Sequence, residues 1–491
     1  MLNKINLKYL FITSLIIFNI IFYSSIYIVN GYPETNDILH IFKVTALEGN
    51  SKFINGIYGP GYAYYTLIFS NSLTILSVII VYLSLQSSFL IYLITTSLNQ
   101  NFNQSEQFYN YALTLIFHLI IIVTLGFNHS DSIFLLLFYN GILTFIVGYY
   151  LKNNFFIFIL GALLIGISII FRHHGPIFLF FLLLLFLYYE IFNCQKKITI
   201  NYKKYLIIIS IIIAPLIFSQ FHLIIIDAGT EWQMQFKLHY FLHGDKWGDW
   251  RDLKYVLESE QYLNFNLYDE KIGHVISITL NHLKGVLRFV YPFIFCLLLT
   301  YYIDRQKIIL FSLLIFSTYL IIVIPGFHRG YYPSIFISYF IILLHFKKII
   351  SSRIVTFLIF MFLLGHLIYL SEGHISYVKK NYELKTEINT KIVPILKKKN
   401  IEYSNIFSDD YNFYTTKLDG EIHQLCNWGG WFLNHPYLNN YYPRKVLKGD
   451  DKDICDVKAL ITRDKNFAEI YLLNNQFDEY YKFDIYYLFT R

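Results

Sequence analysis

Stretches of about twenty apolar residues recur along most of the chain, and no other feature constrains its fold as tightly. In lipid, backbone polar groups must be satisfied within the segment, so each stretch is expected to be a helix. The candidates are residues 8–30, 75–98, 109–126, 131–150, 154–171, 175–193, 205–226, 286–303, 307–325, 331–346 and 354–371, eleven in all. Composition agrees. The chain of 491 residues is 55% hydrophobic, 20% aromatic and 15% charged, whereas soluble domains carry about 25% charged residues. Its mean hydropathy is +0.45. A soluble core cannot hold that much apolar surface, and disordered, collagen-like, coiled-coil and disulfide-scaffold architectures fail on the same figures. The expected fold class is a polytopic α-helical membrane protein.

Charge sets the orientation. The first apolar stretch follows Lys4 and Lys8 and has no small-residue cleavage site, which reads as an uncleaved anchor. With the N-terminus in the cytoplasm, inner segments hold Lys4, Lys8, Lys152, Lys196, Lys197, Lys203, Lys204, Arg305, Lys307, Lys347, Lys348 and Arg353. The first outer loop and the short outer connections hold Lys43, Lys52, Arg172 and Arg329. Twelve against four follows the positive-inside rule, and eleven crossings put the C-terminus outside. The net charge of +7 sums over two faces and does not indicate a nucleic-acid partner.

Three stretches are too polar to span: an outer loop at 31–61, a second at 227–285, and the tail from 372 to 491. The expected division is a membrane module, 1–371, and a small extracytoplasmic α/β domain, 372–491. In that tail, 380–399 reads as an amphipathic basic helix ending at Asn400. Residues 403–410, 457–464 and 483–490 read as strands and 466–473 as a helix. No internal repeat of the kind that builds secondary transporters is visible. Cys194 and Cys296 read as inert thiols. Cys426 and Cys455 lie in the outer domain, where a disulfide is permitted but not required.

The informative polar residues break the topology pattern. "FRHHGP" (171–176) places Arg172, His173 and His174 at an outer junction, and "GFHRGYYP" (326–333) places His328 and Arg329 at another. Outer arginine runs against the orientation bias. A phosphate or carboxylate would compensate through bidentate hydrogen bonds; interfacial snorkelling accounts for either arginine alone. His129 and Asp131 in "NHSDS" form a third polar junction, also open to a helix-capping reading.

In the first loop, Asp37 opens a segment of helical spacing, and Tyr58-Gly59-Pro60-Gly61 forms a turn before an aromatic run. An acid at the membrane surface near outer arginines suits a general base beside a phosphate; an N-cap is the plainer use of the same residue. His118, His222 and His366 fall within apolar spans, where a neutral imidazole satisfied by a neighbouring helix suffices. Asp227, Glu231, His239, His243, Asp245 and Asp249 in the second loop could bind a divalent metal, though a solvated loop is the simpler reading. No Walker loop, Ser-His-Asp pattern or dinucleotide fingerprint is present, so soluble nucleotide chemistry has no visible seat.

In order and sidedness, several segments resemble the GT-C superfamily of integral-membrane glycosyltransferases. The likeness is to its polyprenyl-phosphate-sugar-dependent branch, related to protein mannosyltransferases and aminoarabinose transferase. They are Asn36-Asp37, "ALEGN" (46–50), "NGIYGPGYAYY" (55–65), "HSDSIFLLLF" (129–138), "FRHHGPIFL" (171–179) and "HRGYYPSIFISYF" (328–340). The sequence departs where Ile38 follows Asp37, since many relatives carry an acidic pair, and where Gly59-Pro60 replaces Pro-Pro. The first departure argues against metal assistance.

The resemblance implies a sugar donor on a polyprenyl phosphate, a glycan, lipid or protein acceptor, membrane lipid as surroundings, no required cofactor, and a bacterial inner membrane. Asp37 would deprotonate the acceptor. Arg172 and Arg329, with His173 or His328, would hold the donor phosphate. Tyr58, His129 and Asp131 become candidate substrate contacts. Two rival readings stand: an O-antigen polymerase or ligase, and a lipid-linked glycan transporter or flippase. The early loop acid and the long outer tail favour glycosyl transfer over the first. Charges clustered on one face favour it over the second.

Overall fold

The computed structural model describes residues 6–30, 73–126, 132–148, 154–171, parts of 210–217, 290–314 and 338–342, then 345–401, 406–408, 458–463, 465 and 477–491. Among these, the helices are α1 (Leu7–Asn30), α2 (Leu73–Leu98), α3 (Gln104–Gly126), α4 (Ser132–Ile146), α5 (Phe155–Phe171), α6 (Val290–Ile303), α7 (Phe346–Ser351), α8 (Arg353–Glu387) and α9 (Val393–Lys398). Four helical stretches are long and apolar enough to cross a membrane: Leu7–Ile26, Val78–Leu98, Gln104–Thr124 and Arg353–Lys398. Helices α4, α5 and α6 are apolar but shorter. The expected spans 8–30, 75–98, 109–126, 131–150, 154–171 and 286–303 thus correspond to helices within a few residues. The span 175–193 and most of 205–226, 307–325 and 331–346 lie outside the described residues.

Helix α3 starts five residues before the expected 109. A capping box explains the extension. Asn103 Oδ1 accepts the Glu106 N–H at 2.9 Å, and Glu106 Oε2 accepts the Asn103 N–H at 2.9 Å. Two orphan amides are satisfied reciprocally, which lets polar residues enter the helix before its apolar run. At α5, Asn154 Oδ1 does the same for Phe156 N at 2.9 Å.

The α4–α5 pair is an antiparallel hairpin held by glycines. A Cβ added at Gly148 would lie 2.5 Å from Phe158 N; one at Gly161, 2.5 Å from Phe145 N; one at Gly141, 2.9 Å from Ile165 N. The missing side chains allow backbone-to-backbone approach, as packing between helices in lipid requires. Phe145 and Phe158 close the contact with ring centroids 4.0 Å apart. The pairs 148/158, 145/161 and 141/165 fix one register.

Helix α8 extends well past the expected end at 371, through Glu387. One π-helical turn, Ile388–Ile392, joins it to α9. Pro394 stands at the start of α9 and cannot donate back to the preceding turn, so the ladder widens there. Leu384, Ile388, Ile392 and Leu396 are all buried. Their spacing of four outruns the 3.6-residue period, and the wide turn brings them back to one face. The helix ends at Asn400, as expected from sequence, with φ 52°. Ile401 N–H bonds to Leu396 O at 3.0 Å and Asn400 N–H to Lys397 O at 3.1 Å, the paired bonds of a Schellman cap. Asn400→Ala is expected to cost about 1 kcal/mol, because a left-handed backbone tolerates Cβ poorly. Asn400→Gly should cost nothing; thermal melts of the two variants check this.

Beyond the cap lies a mixed sheet, ordered β1-β2-β4-β3. Its strands are β1 (Ile406–Ser408), β2 (Ala459–Thr462), β3 (Glu479–Lys482) and β4 (Tyr487–Thr490). The first pair is parallel and the other two antiparallel. Strands expected over 403–410 and 457–464 match β1 and β2. The expected strand 483–490 is β4 in its second half, while 483–486 form the turn that joins it to β3, its hairpin partner. The acidic, tyrosine-rich run Asp478–Lys482 hid β3, which is mostly exposed along one edge. The expected helix 466–473, Cys426 and Cys455 lie outside the described residues.

The sheet is gripped by the long helix. The buried Glu387 carboxylate accepts the Ile485 N–H at 3.1 Å, Lys391 pairs with Asp484, and Lys399 Nζ reaches Glu479 at 2.8 Å. The long apolar helix and the C-terminal sheet therefore share one continuous helical strut.

Candidate functional site

Every residue named from sequence as catalytic, phosphate-binding or substrate-binding lies outside the described residues: Asp37, Tyr58, His129, Asp131, Arg172, His173, His328 and Arg329. So do His174, His222 and the candidate metal set of 227–249. The described helices nevertheless define where several of these segments begin. Helix α1 ends at Asn30, seven residues before Asp37; α3 ends at Gly126, three before His129; α4 starts at Ser132, one after Asp131; and α5 ends at Phe171, one before Arg172. In the α4–α5 register, Ser132 and Phe171 come to the same end of the hairpin.

One histidine at that end of α1 was not singled out from sequence. His374 Nε2 lies 3.0 Å from Ser25 Oγ, and its ring stacks on Phe22 at 4.6 Å. It joins the last turns of α1 to α8, the helix that carries the sheet. Its only sequence signal is a position just past the last apolar run.

Midway along the bundle a string of buried polar side chains crosses four helices. Asn19 of α1 donates to Ser88 Oγ at 2.9 Å and accepts from Ser84 Oγ. Ser88 of α2 meets His118 Nε2 of α3 at 2.8 Å, and His118 Nδ1 lies 3.2 Å from Tyr139 Oη of α4. One assignment satisfies the chain: Nε2–H donates to Ser88, whose own hydroxyl bonds to Ser84 O at 3.1 Å, and Tyr139 donates to Nδ1. Beside it, Asn140 Nδ2 bonds to Leu83 O at 2.8 Å. With both nitrogens bonded to neighbouring helices, His118 acts structurally, as expected from its place in an apolar span. The string locks the registers of four helices, because a one-turn slip would strand a buried polar group in an apolar bundle. His366 is different. It is buried in T-shaped contact with Phe293 and Tyr291, and its Nδ1 has no hydrogen-bond partner among the described residues.

At the opposite end from His374, Asp304 follows α6. Its Oδ2 lies 2.8 Å from His345 Nδ1 and its Oδ1 2.7 Å from Lys348 Nζ. Phe102, at the α2–α3 connection, packs edge-on to Phe346 of α7 nearby. Burial alone would raise the Asp304 carboxyl. The hydrogen bonds from Lys348 and His345 outweigh it and hold the group below the usual carboxylate range. The ionised form therefore contributes stability that is complete above the unfolded value of about 3.9 and is lost as pH falls through the depressed folded value. Asp304→Asn should lower the melting temperature at neutral pH and flatten the acid limb of a melting-versus-pH curve in detergent.

Among the described residues no cluster of three or more His, Cys, Asp or Glu could hold a metal ion. No family model, curated protein or solved structure matches the chain. What stands is a mostly helical chain with several apolar helices long enough to span a membrane and a small C-terminal sheet, consistent with a membrane protein.

Proposed function

We propose that the protein is a membrane glycosyltransferase that moves a sugar from a polyprenyl-phosphate donor to a hydroxyl of a glycan, lipid or protein on the outer face of the membrane. In this reading the chain crosses a bacterial inner membrane eleven times, with a cytoplasmic N-terminus and an outer C-terminal domain. Asp37 takes the proton of the acceptor hydroxyl as its oxygen attacks the anomeric carbon and inverts it. Arg172 and Arg329, aided by His173 or His328, receive the departing lipid phosphate. Tyr58, His129 and Asp131 line the substrates.

One observation carries most of the weight. The α4–α5 register sets side by side the two helix ends from which the sequence runs directly into Asp131 and Arg172. An acidic and a cationic junction leaving one end of one hairpin suits a site that handles a phosphate and a proton together. Incubating the purified full chain with defined polyprenyl-phosphate sugars and mixed hydroxyl acceptors tests the proposal. Release of the free lipid phosphate with formation of an inverted glycosidic bond is the expected result. Hydrolysis-free export of intact lipid-linked glycan would point to transport instead.

A further inference from the structure

The inner ends of α6, α7 and α8 gather five cations against a single acid. Asp304 ties Arg305, its neighbour in sequence, to Lys348 on α7, and Lys347 and Arg353 follow on the same short segment. Lys307 lies two residues beyond Arg305. Asp304 is buried and already engaged by Lys348 and His345. Arg305, Lys307, Lys347 and Arg353 are exposed, and among the described residues none is paired with an acid. Lys348, too, keeps about half of its side chain exposed (55%) while bonded to Asp304.

The apolar surface beside these cations is equally open. Tyr302 and Ile354 are each 73% exposed, with Leu310, Leu314 and Phe357 more than half exposed. On a helix that crosses a membrane, that collar faces acyl chains. A ligand that meets both surfaces needs a negative head and an apolar tail.

We infer that this inner corner, built from Arg305, Lys307, Lys347, Lys348 and Arg353 around Asp304, is a binding site for the phosphate head of an anionic phospholipid from the inner leaflet. Phosphate oxygens accept from the guanidinium forks of Arg305 and Arg353, while the lysines contribute point charge. Asp304 has two roles. It pins α6 to α7 so that the cations stay together, and besides His345 it engages only Lys348 of the five cations, leaving four charges for the lipid. Clustered Lys and Arg at the cytoplasmic end of spanning helices attract anionic lipid in this way, and the attraction is screened by salt. The inference rests on the proposed membrane orientation but not on the proposed reaction.

The test uses the full chain in nanodiscs of equimolar phosphatidylcholine and phosphatidylglycerol, followed by extraction and native mass spectrometry of retained lipid. The natural protein should retain phosphatidylglycerol over phosphatidylcholine. The combined exchange Arg305→Gln, Lys307→Gln, Lys347→Gln and Arg353→Gln, which leaves Asp304–Lys348 intact, should reduce that preference by about tenfold or more. Lys379→Gln with Lys380→Gln, exposed charges farther along α8, should leave it unchanged. Raising salt should release the lipid from the natural protein. Should the fourfold variant fail to assemble, Arg305→Gln with Lys307→Gln and the salt titration decide the matter. Equal retention of both lipids, or an unchanged preference in the variants, overturns the inference. Displacement of phosphatidylglycerol by the same concentration of inorganic phosphate also overturns it, since the site would then read the anion and not the lipid.

Discussion

Asp37→Asn should reduce sugar transfer by about 10²–10⁴-fold while leaving binding of the polyprenyl-phosphate donor nearly intact. The amide keeps the size and the hydrogen-bonding reach of the carboxylate but cannot accept a proton from the acceptor hydroxyl. The same substitution separates catalysis from structure. If Asp37 only capped a helix, Asn would serve as well, since the two residues cap about equally, and the variant would be folded and fully active. That result would remove the catalytic assignment. Arg172→Ala and Arg329→Ala should behave differently and weaken donor binding as well as rate. A lipid phosphate loses a charge-assisted partner in both the ground and the transition state, a loss typically of about 3–4 kcal/mol for one well-placed donor. Lysine at either position should restore only part of the activity, because it supplies charge without a planar fork. Titrating donor binding and measuring single-turnover rates for the same three variants distinguishes the two patterns.

The second large effect concerns the hairpin that brings Ser132 and Phe171, the chain neighbours of Asp131 and Arg172, to one end. Gly161→Ala should loosen α4 from α5 and lower stability by about 1–3 kcal/mol. The added Cβ would meet Phe145 N at 2.5 Å, Phe145 Cα at 2.8 Å and Gly141 O at 2.9 Å, all backbone atoms that cannot rotate away. Only separation of the helices relieves the clash, and that also parts Phe145 from Phe158. Gly365→Ala on α8 is the control: nothing lies within 4 Å of its Cβ position. Ala is also the better helix former, so that variant should be as stable as the parent or more so. Equal melting temperatures for the two variants in detergent would show that close packing at Gly161 does not hold the hairpin. In the proposed transfer assay, Gly161→Ala should lose activity along with stability, because the Ser132 and Phe171 ends of the two helices would move apart.

Much of the helical part was legible from residues close in sequence. Apolar runs predicted α1, α2, α4, α5 and α6 because a segment in lipid has to satisfy its own backbone, and Asn400 marked the end of α9 because it tolerates a left-handed backbone. The strands at Ile406–Ser408 and Ala459–Thr462 showed in their β-branched and apolar character. Other elements depended on partners far along the chain. Strand β3 exists because β4 pairs with it, and its own polar run carries little strand signal. The amphipathic helix expected over 380–399 is present, with Leu384, Ile388, Ile392 and Leu396 buried in one cluster with strand residues, but its fusion with the preceding apolar helix through 372–379 was not legible from sequence.

The same division holds for the buried polar groups. Sequence alone places His118 in an apolar span and Asp304 at its end. The partners are Ser88, Tyr139, His345 and Lys348, 21 to 44 positions away. Which of them meet depends on helix register, and register is decided by side-chain interlocking across the bundle, such as the glycine contacts of α4 and α5. Sequence determined where most of the long apolar helices lie, through local backbone satisfaction, but not the early start of α3 or the run of α8 past residue 371. Tertiary structure alone decided their pairing, the grip of the long helix on the sheet and the meeting of Asp304 with His345 and Lys348, because each rests on contacts that no local pattern encodes.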